Sequence, residues 1–303
     1  DNHYTELRNL IGRKYKLSAD SVILGNGSDE IFDFIFKVIV KPKDKVLTFY
    51  PSYSLYKILM EIFDVTPEYI HLRQNCQYDI KTILPALTTD IKLMIIANPN
   101  NPTGTYLKHQ DMEKLIQTLP RQTVLIVDEA YYHYTTSRNF PVMLSLQKKY
   151  PDKNIIIIRT FSKIYSMAGL RLGLGLAKPQ FIKILNKIRP PFNVNSIAEK
   201  AAIYTLQNDT LIRKIRSHNN INKKFFYCEL DKISIPYIPS EANFIFMRLP
   251  ISAKIVFQAL LKKGIIIRIF DMPAFSHYIR VTIGTKEEIK QFLQNLKIIL
   301  KKY

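Results

Sequence analysis

The chain has 303 residues, 47% of them hydrophobic, and its 44 Lys and Arg against 25 Asp and Glu give a formal net charge of +19. That length can bury one large core plus a smaller one, and no apolar run reaches a membrane span, since charges such as Asp33 and Lys37 interrupt the longest. The charge brings nucleic-acid binding into consideration, but the lysine pairs at 148–149, 223–224, 262–263 and 301–302 fall in separate elements, so a lysine-rich composition explains it better.

Cys76 and Cys228 show no Cys-x-x-Cys spacing and no zinc-type His cluster accompanies them, so no metal site is expected. The first residues, Asp1 to Glu6, carry no apolar signal region, which points to a cytoplasmic protein.

In chain order, Leu7, Leu10 and Ile11 have helical spacing, so 4–15 reads as an amphipathic helix. A strand over 22–24 leads into Gly-Asn-Gly-Ser-Asp-Glu at 25–30 and a strongly apolar helix through Val40. Ser28 or Asp29 is expected to cap that helix, whose first N–H groups make an anion site; an ordinary glycine turn is the alternative. A strand over 45–49 ends in Tyr50-Pro-Ser-Tyr53, followed by a helix over 55–62 and a possible strand over 65–70.

The buried strand 93–97 runs into Asn98-Pro-Asn-Asn-Pro-Thr-Gly104, where two prolines and a glycine impose a rigid turn with fixed asparagine directions. After a helix over 108–118, the strand 124–127 ends in Asp128-Glu-Ala-Tyr-Tyr132. A carboxylate at the end of an apolar strand needs a partner. A protonated pyridine nitrogen would serve, and a helix cap or a Mg²⁺ ligand are the other readings of Asp128.

Four isoleucines, Ile155 to Ile158, read as a strand buried on both faces, followed by Arg159-Thr-Phe-Ser-Lys-Ile-Tyr-Ser-Met-Ala-Gly-Leu-Arg171. Burial beside other cations lowers a lysine pKa and frees its amine to attack an aldehyde. Thr160, Ser162 and Arg171 suit a phosphate. Lys163 is therefore a candidate covalent anchor for pyridoxal phosphate, against the plainer reading of a solvated lysine in a Ser-rich loop. No Gly-x-Gly-x-x-Gly or Gly-x-x-x-x-Gly-Lys-Ser/Thr motif is present, which disfavours nicotinamide and nucleoside-triphosphate chemistry.

Beyond Pro179, helices are expected over 180–188, 196–207 and 210–230. A second unit carries segments at 244–248, 253–262, 265–268, 279–283 and 286–301. The alternation of strands and helices from Val22 to Leu176 predicts an α/β fold: a three-layer, mostly parallel sheet with helices on both faces. A smaller α+β domain would come from the C-terminal part and the N-terminal helix. The expected boundaries are 18–195 for the large domain, with 1–17 and 196–303 forming the small one.

Together these blocks resemble the fold type I pyridoxal-phosphate aminotransferases, in particular the histidinol-phosphate aminotransferase branch, over nearly the whole chain. The resemblance implies that Lys163 forms the Schiff base, that Asp128 pairs with the pyridinium nitrogen, and that Tyr131 and Asn101 bind the phenolic oxygen. It assigns Ser28, Asp29, Thr160, Ser162 and Arg171 to the cofactor's phosphate region and Tyr53 to stacking on its ring. It also implies that Arg268, Arg280 (in Arg-Val-Thr-Ile-Gly284) and Asn243 face the substrate.

The implied reaction is transamination between histidinol phosphate and 2-oxoglutarate in a homodimer, with neither a nucleic-acid nor a membrane partner. A decarboxylase of amino-acid phosphates, an aromatic or other amino-acid aminotransferase, and a basic nucleic-acid-binding protein are the alternatives. The family's usual N-terminal arm, with a tyrosine that reaches the partner's cofactor phosphate, is not in this sequence, so it is either omitted or lacking. The sequence starts at Asp1, just after that tyrosine's place, and a chain lacking the arm would be expected to lose activity.

Overall fold

The structure, a computed structural model, describes residues 1–302. In chain order the elements are α1 (Thr5–Tyr15), β1 (Val22–Asn26), α2 (Ser28–Ile39), β2 (Lys45–Tyr50), α3 (Ser54–Ile62), β3 (Thr66–His71), α4 (Ile80–Ile83), β4 (Ile91–Ala97), α5 (His109–Thr118), β5 (Val124–Asp128) and α6 (Met143–Lys149). There follow β6 (Asn154–Thr160), β7 (Leu172–Leu176), α7 (Pro179–Asn186), α8 (Ser196–Leu206), α9 (Asp209–Lys232), β8 (Tyr237–Ile238), β9 (Phe244–Arg248), α10 (Ala253–Leu261), β10 (Tyr278–Thr282) and α11 (Lys286–Lys302).

Seven strands form one sheet in the order β1-β7-β6-β5-β4-β2-β3. Only β7 runs antiparallel to its neighbours; β6, β5, β4, β2 and β3 are parallel. Successive strand residues point to opposite faces, and here both faces are apolar. Met94, Ile96, Leu125, Val127, Ile155 and Ile157 pack beneath α1, α5, α6 and α8, while Leu93, Ile95, Ile126, Ile156 and Ile158 pack beneath α2, α3 and α7. Each fully buried isoleucine contributes about 1.5–3 kcal/mol. This is the three-layer α/β arrangement expected from the continuous apolar runs.

A second sheet, antiparallel in the order β10-β9-β8, has its own core of Phe226, Ile245, Met247, Val256, Ile279 and Leu296. Among the described residues no helix is long and apolar enough to cross a membrane.

The local differences from the sequence reading have identifiable causes. The residues 265–268 form no strand; only Arg268 bridges to Arg280. The alternating Leu-Gly-Leu-Gly-Leu of β7 was not read as a strand, because its glycines answer a tertiary demand: a Cβ on Gly173 would collide with the backbone N of Ser28. Neither Ser28 nor Asp29 caps α2. Gly27, at φ 81°, occupies the cap position, and among the described residues no side chain caps the helix's leading N–H groups. Glu30 instead accepts from Asn26 N at 2.6 Å and from Asn193 Nδ2 at 2.6 Å.

Candidate active site

Chain reversal after each parallel strand leaves a crevice at the strands' carboxyl ends, the usual ligand position in such sheets. Thr160 ends β6, Asp128 ends β5, the 98–104 turn follows β4, and Tyr53 follows β2. A cleft of about 880 Å³ opens there. It gathers Ser28, Asp29, Tyr53, Asn101, Asp128, Tyr131, Thr160, Ser162, Lys163 and Arg171 from the sheet side, and Arg268 and Arg280 from the second unit. Asn243 is not on its wall; it stands just before β9, where its backbone O accepts from Ile283 N at 2.9 Å.

Asp128 is buried, accepting from Tyr56 Oη at 2.7 Å and from Ala130 N at 3.0 Å. Burial pushes its carboxyl up to about 6, against the pull of those two hydrogen bonds. Lys163 lies with its Nζ 5.4 Å from the Tyr131 ring centroid and forms no ion pair among the described residues. Burial first, and then Arg280, lower its pKa, which favours the neutral amine; Asp128 and Asp29 oppose this.

Within the turn after β4, only one asparagine is available to a ligand. Asn98 Oδ1 accepts from Leu107 N at 2.8 Å. Asn100 is consumed by Ser52 Oγ, Pro51 O and Thr103 Oγ1, at 2.9, 3.0 and 2.9 Å. Asn101 faces the cleft, and its Oδ1 accepts from Arg280 Nη1 at 2.5 Å, which leaves Nδ2 without a protein partner.

At the other end, the uncapped N-terminus of α2 meets Ser162, Thr160 and Arg171. The free N–H groups and the helix dipole favour an anion there. Arg171 is held in the left-handed region, at φ 57° and ψ 68°; its Nη1 donates to Ala168 O at 3.0 Å and its Nη2 lies 3.6 Å from Asp29 Oδ2. A Cβ on Gly27 would come within 2.5 Å of that Nη2, so the close approach requires glycine. Tyr53 sets its ring edge-on to Tyr56, with centroids 5.7 Å apart, and burial pushes its hydroxyl up to about 12.

Arg268 and Arg280 exchange backbone hydrogen bonds at 3.0 and 2.9 Å, so both guanidiniums project from one bridge. Neither forms an ion pair among the described residues, and Arg280 Nε is buried without a partner. Burial lowers the Arg280 pKa, and the Arg268 charge adds to that. Two neighbouring cations without a counter-charge form a receptor for an anion with several oxygens.

Sequence reasoning missed Tyr56, whose hydroxyl supports Asp128. The spacing Tyr50, Tyr53, Tyr56 was a usable signal, since the last two lie three apart on the same helical approach. It also missed the outer aromatic wall of Tyr50, Tyr69 and His71, where Tyr50 packs 6.2 and 5.3 Å from the other two rings.

Comparison with known proteins gives the same picture. The family model for aminotransferase class I and II matches residues 1–296. The chain is 36% identical over 295 residues to histidinol-phosphate aminotransferase 2 of Carboxydothermus hydrogenoformans, covering 97% of this chain and 81% of that one. It is 34% identical to the histidinol-phosphate aminotransferase of Moorella thermoacetica, covering 99% and 77%.

Among solved structures, the histidinol-phosphate aminotransferase from Clostridium acetobutylicum superposes with a TM-score of 0.91 at 27% identity, covering 100% of this chain and 90% of that one. The fold also matches that of the Sinorhizobium meliloti enzyme in complex with pyridoxal-5'-phosphate, with a TM-score of 0.92 at 23% identity, covering 100% and 82%. The chain therefore belongs to the aminotransferase class I and II family, in its histidinol-phosphate aminotransferase branch, and is a pyridoxal-phosphate-dependent aminotransferase.

Proposed function

We propose that the amino donor is histidinol phosphate and the acceptor 2-oxoglutarate, the exchange used in histidine biosynthesis, carried out in the cytoplasm by a homodimer. The observation that carries the choice of donor is the Arg268–Arg280 couple in the cleft wall, in no ion pair among the described residues. A phosphate dianion matches two adjacent guanidiniums in charge and in oxygen count.

The residues present fit pyridoxal phosphate. Burial pushes the Asp128 carboxyl up to about 6, so a cationic partner stabilises its charged form, and a protonated pyridine nitrogen would be that partner. The uncapped α2 N-terminus with Ser28, Thr160, Ser162 and Arg171 fits the phosphate, and Asp29 holds Arg171 in place. Tyr53 offers its ring for stacking, while Asn101 Nδ2 and the Tyr131 hydroxyl offer donors for a phenolic oxygen.

When bound, the cofactor supplies an electron sink for negative charge at the substrate's Cα. Lys163, whose pKa burial lowers, would take the proton from that carbon as general base and give it back as general acid. Asp128 holds the proton on the ring nitrogen. Arg268 and Arg280 fix the substrate's anionic end so that its amine faces Lys163.

The test is steady-state kinetics with histidinol phosphate and with unphosphorylated histidinol. The proposal expects kcat/KM to fall at least about a hundredfold without the phosphate, since two charge-assisted bonds at about 1.5 kcal/mol or more are lost. Equal kcat/KM for both donors would contradict it, and release of CO₂ from an amino-acid phosphate would assign a decarboxylase instead. The dimer draws support from exposed apolar residues, among them Ile58 and Ile62 on α3 and Ile197 and Tyr204 on α8; light scattering at the mass of one chain would contradict it.

A further inference from the structure

A second concavity, of about 410 Å³, lies on the sheet face opposite Lys163. Its floor is Arg159, which neighbours Thr160 in β6 and so points the other way. Arg159 is buried, with Nε and Nη2 both donating to Glu129 Oε2, at 2.8 and 2.7 Å. Its guanidinium carbon lies 3.7 Å from the Tyr132 ring centroid, and Nη1 is buried with no protein partner.

The rim carries three more guanidiniums. Arg138 stands on the turn after Tyr134, and Arg213 and Arg216 stand three residues apart on α9. Arg213 Nη2 reaches only Thr210 Oγ1, at 3.1 Å, and Arg216 Nη2 donates to the Thr135 carbonyl. None of the three is in an ion pair among the described residues.

Glu129 is the one carboxylate in this wall, and Arg159 occupies it. Two other acids stand nearby: Glu241 accepts from Thr136 N and Ser137 N, and Asp209 pairs with Lys14 at 2.6 Å while also feeling the Arg213 charge. Four guanidiniums thus line one wall whose single carboxylate is already committed to Arg159. His133, at the same wall, registers the excess: burial, and then Arg159, Lys14 and Arg216, hold it well below its ordinary pKa. Converging cations are stable together when a shared anion takes bidentate bonds from them.

We propose that this pocket is a second anion site, separate from the catalytic cleft, which binds a small multiply charged oxyanion of the phosphate or pyrophosphate type through Arg138, Arg213 and Arg216 above Arg159. Such an anion ties the loop after β5 to α9, the helix that continues into the second core through Phe226 and Leu230.

The test titrates inorganic pyrophosphate into the pyridoxal-phosphate-loaded enzyme by calorimetry at constant ionic strength, beside the R138Q/R213Q variant. The wild-type enzyme is expected to show one saturable site more per chain than the variant, in which that event weakens at least about tenfold. Competitive inhibition of the reaction by pyrophosphate, which reports the cleft, stays the same in both. The conservative R138K/R213K variant, which keeps charge but not bidentate geometry, is expected to fall between the two. Identical isotherms for wild type and R138Q/R213Q overturn the proposal. So does full displacement by chloride at equal ionic strength, which means an adventitious ion only. If R138Q/R213Q unfolds, R138Q alone on its exposed turn gives the same comparison.

Discussion

Replacing Asp128 by asparagine is expected to stabilise the cofactor-free protein at neutral pH while abolishing transamination. The buried carboxyl has a pKa of about 6 in the fold against 3.8 ordinarily. Because the folded value is raised, the fold binds more protons than the unfolded chain between those limits. Its stability is therefore highest below pH 4 and falls as pH rises to about 6, by about 3 kcal/mol in all. Asparagine has nearly the same shape and keeps both neighbours: Oδ1 accepts from Ala130 N, and the Tyr56 hydroxyl turns to accept from Nδ2.

Urea unfolding of both proteins at several pH values measures the difference directly. The variant's advantage should be near zero at pH 4 and reach about 2–3 kcal/mol by pH 7. Adding cofactor should reduce the pH dependence of the wild type, since Asp128 then has a cationic partner. A difference between the two proteins that stays constant from pH 4 to pH 8 would refute the reasoning.

Three further changes act on other parts of the site. Lys163→Ala should leave the fold intact and remove turnover entirely, measured as amino transfer at saturating donor; normal turnover would exclude Lys163 as the proton carrier. Arg280→Lys keeps the charge but loses the fork that spans Asn101 and the substrate anion; kcat/KM for a phosphorylated donor should fall about ten- to a hundredfold, mostly in KM. Gly173→Ala drives a methyl group into the first turn of α2; thermal unfolding and cofactor titration should show a loss of about 1–3 kcal/mol in stability and weaker cofactor retention.

The ends of the parallel strands were readable in the sequence because two physical signals coincide there. A strand covered on both faces must be apolar throughout, so the polar residues after Ile158, Val127 and Ala97 mark where the apolar runs end and the crevice begins, although Asn98, Asp128, Arg159 and Thr160 are themselves buried. What escaped was set by tertiary approach rather than local pattern. Tyr56 lies in an ordinary helix and becomes part of the site only because α3 packs its hydroxyl against β5. Ser28 and Asp29 have side chains suited to capping α2, whereas the fold puts Gly27 at the cap and uses Glu30, also in the first turn, to accept from Asn26 N. Arg268 was picked out by resemblance, yet its segment is no strand; one bridge to Arg280 suffices to align the two guanidiniums. The arginines around Arg159 are 21 to 57 residues apart in sequence, from Arg138 to Arg216, and only the fold brings them together.

The central claim is that Lys163, Asp128 and the arginine couple act on histidinol phosphate as one site. The most direct measurement is the absorbance spectrum of the pyridoxal-phosphate-loaded enzyme before and after addition of histidinol phosphate, with no oxo acid present. The account predicts that the visible band of the lysine-bound cofactor disappears as the cofactor takes up the amino group, and that 2-oxoglutarate restores it. A visible band that forms with cofactor but does not respond to histidinol phosphate would contradict the proposed donor, and no band at all would contradict the assignment of Lys163.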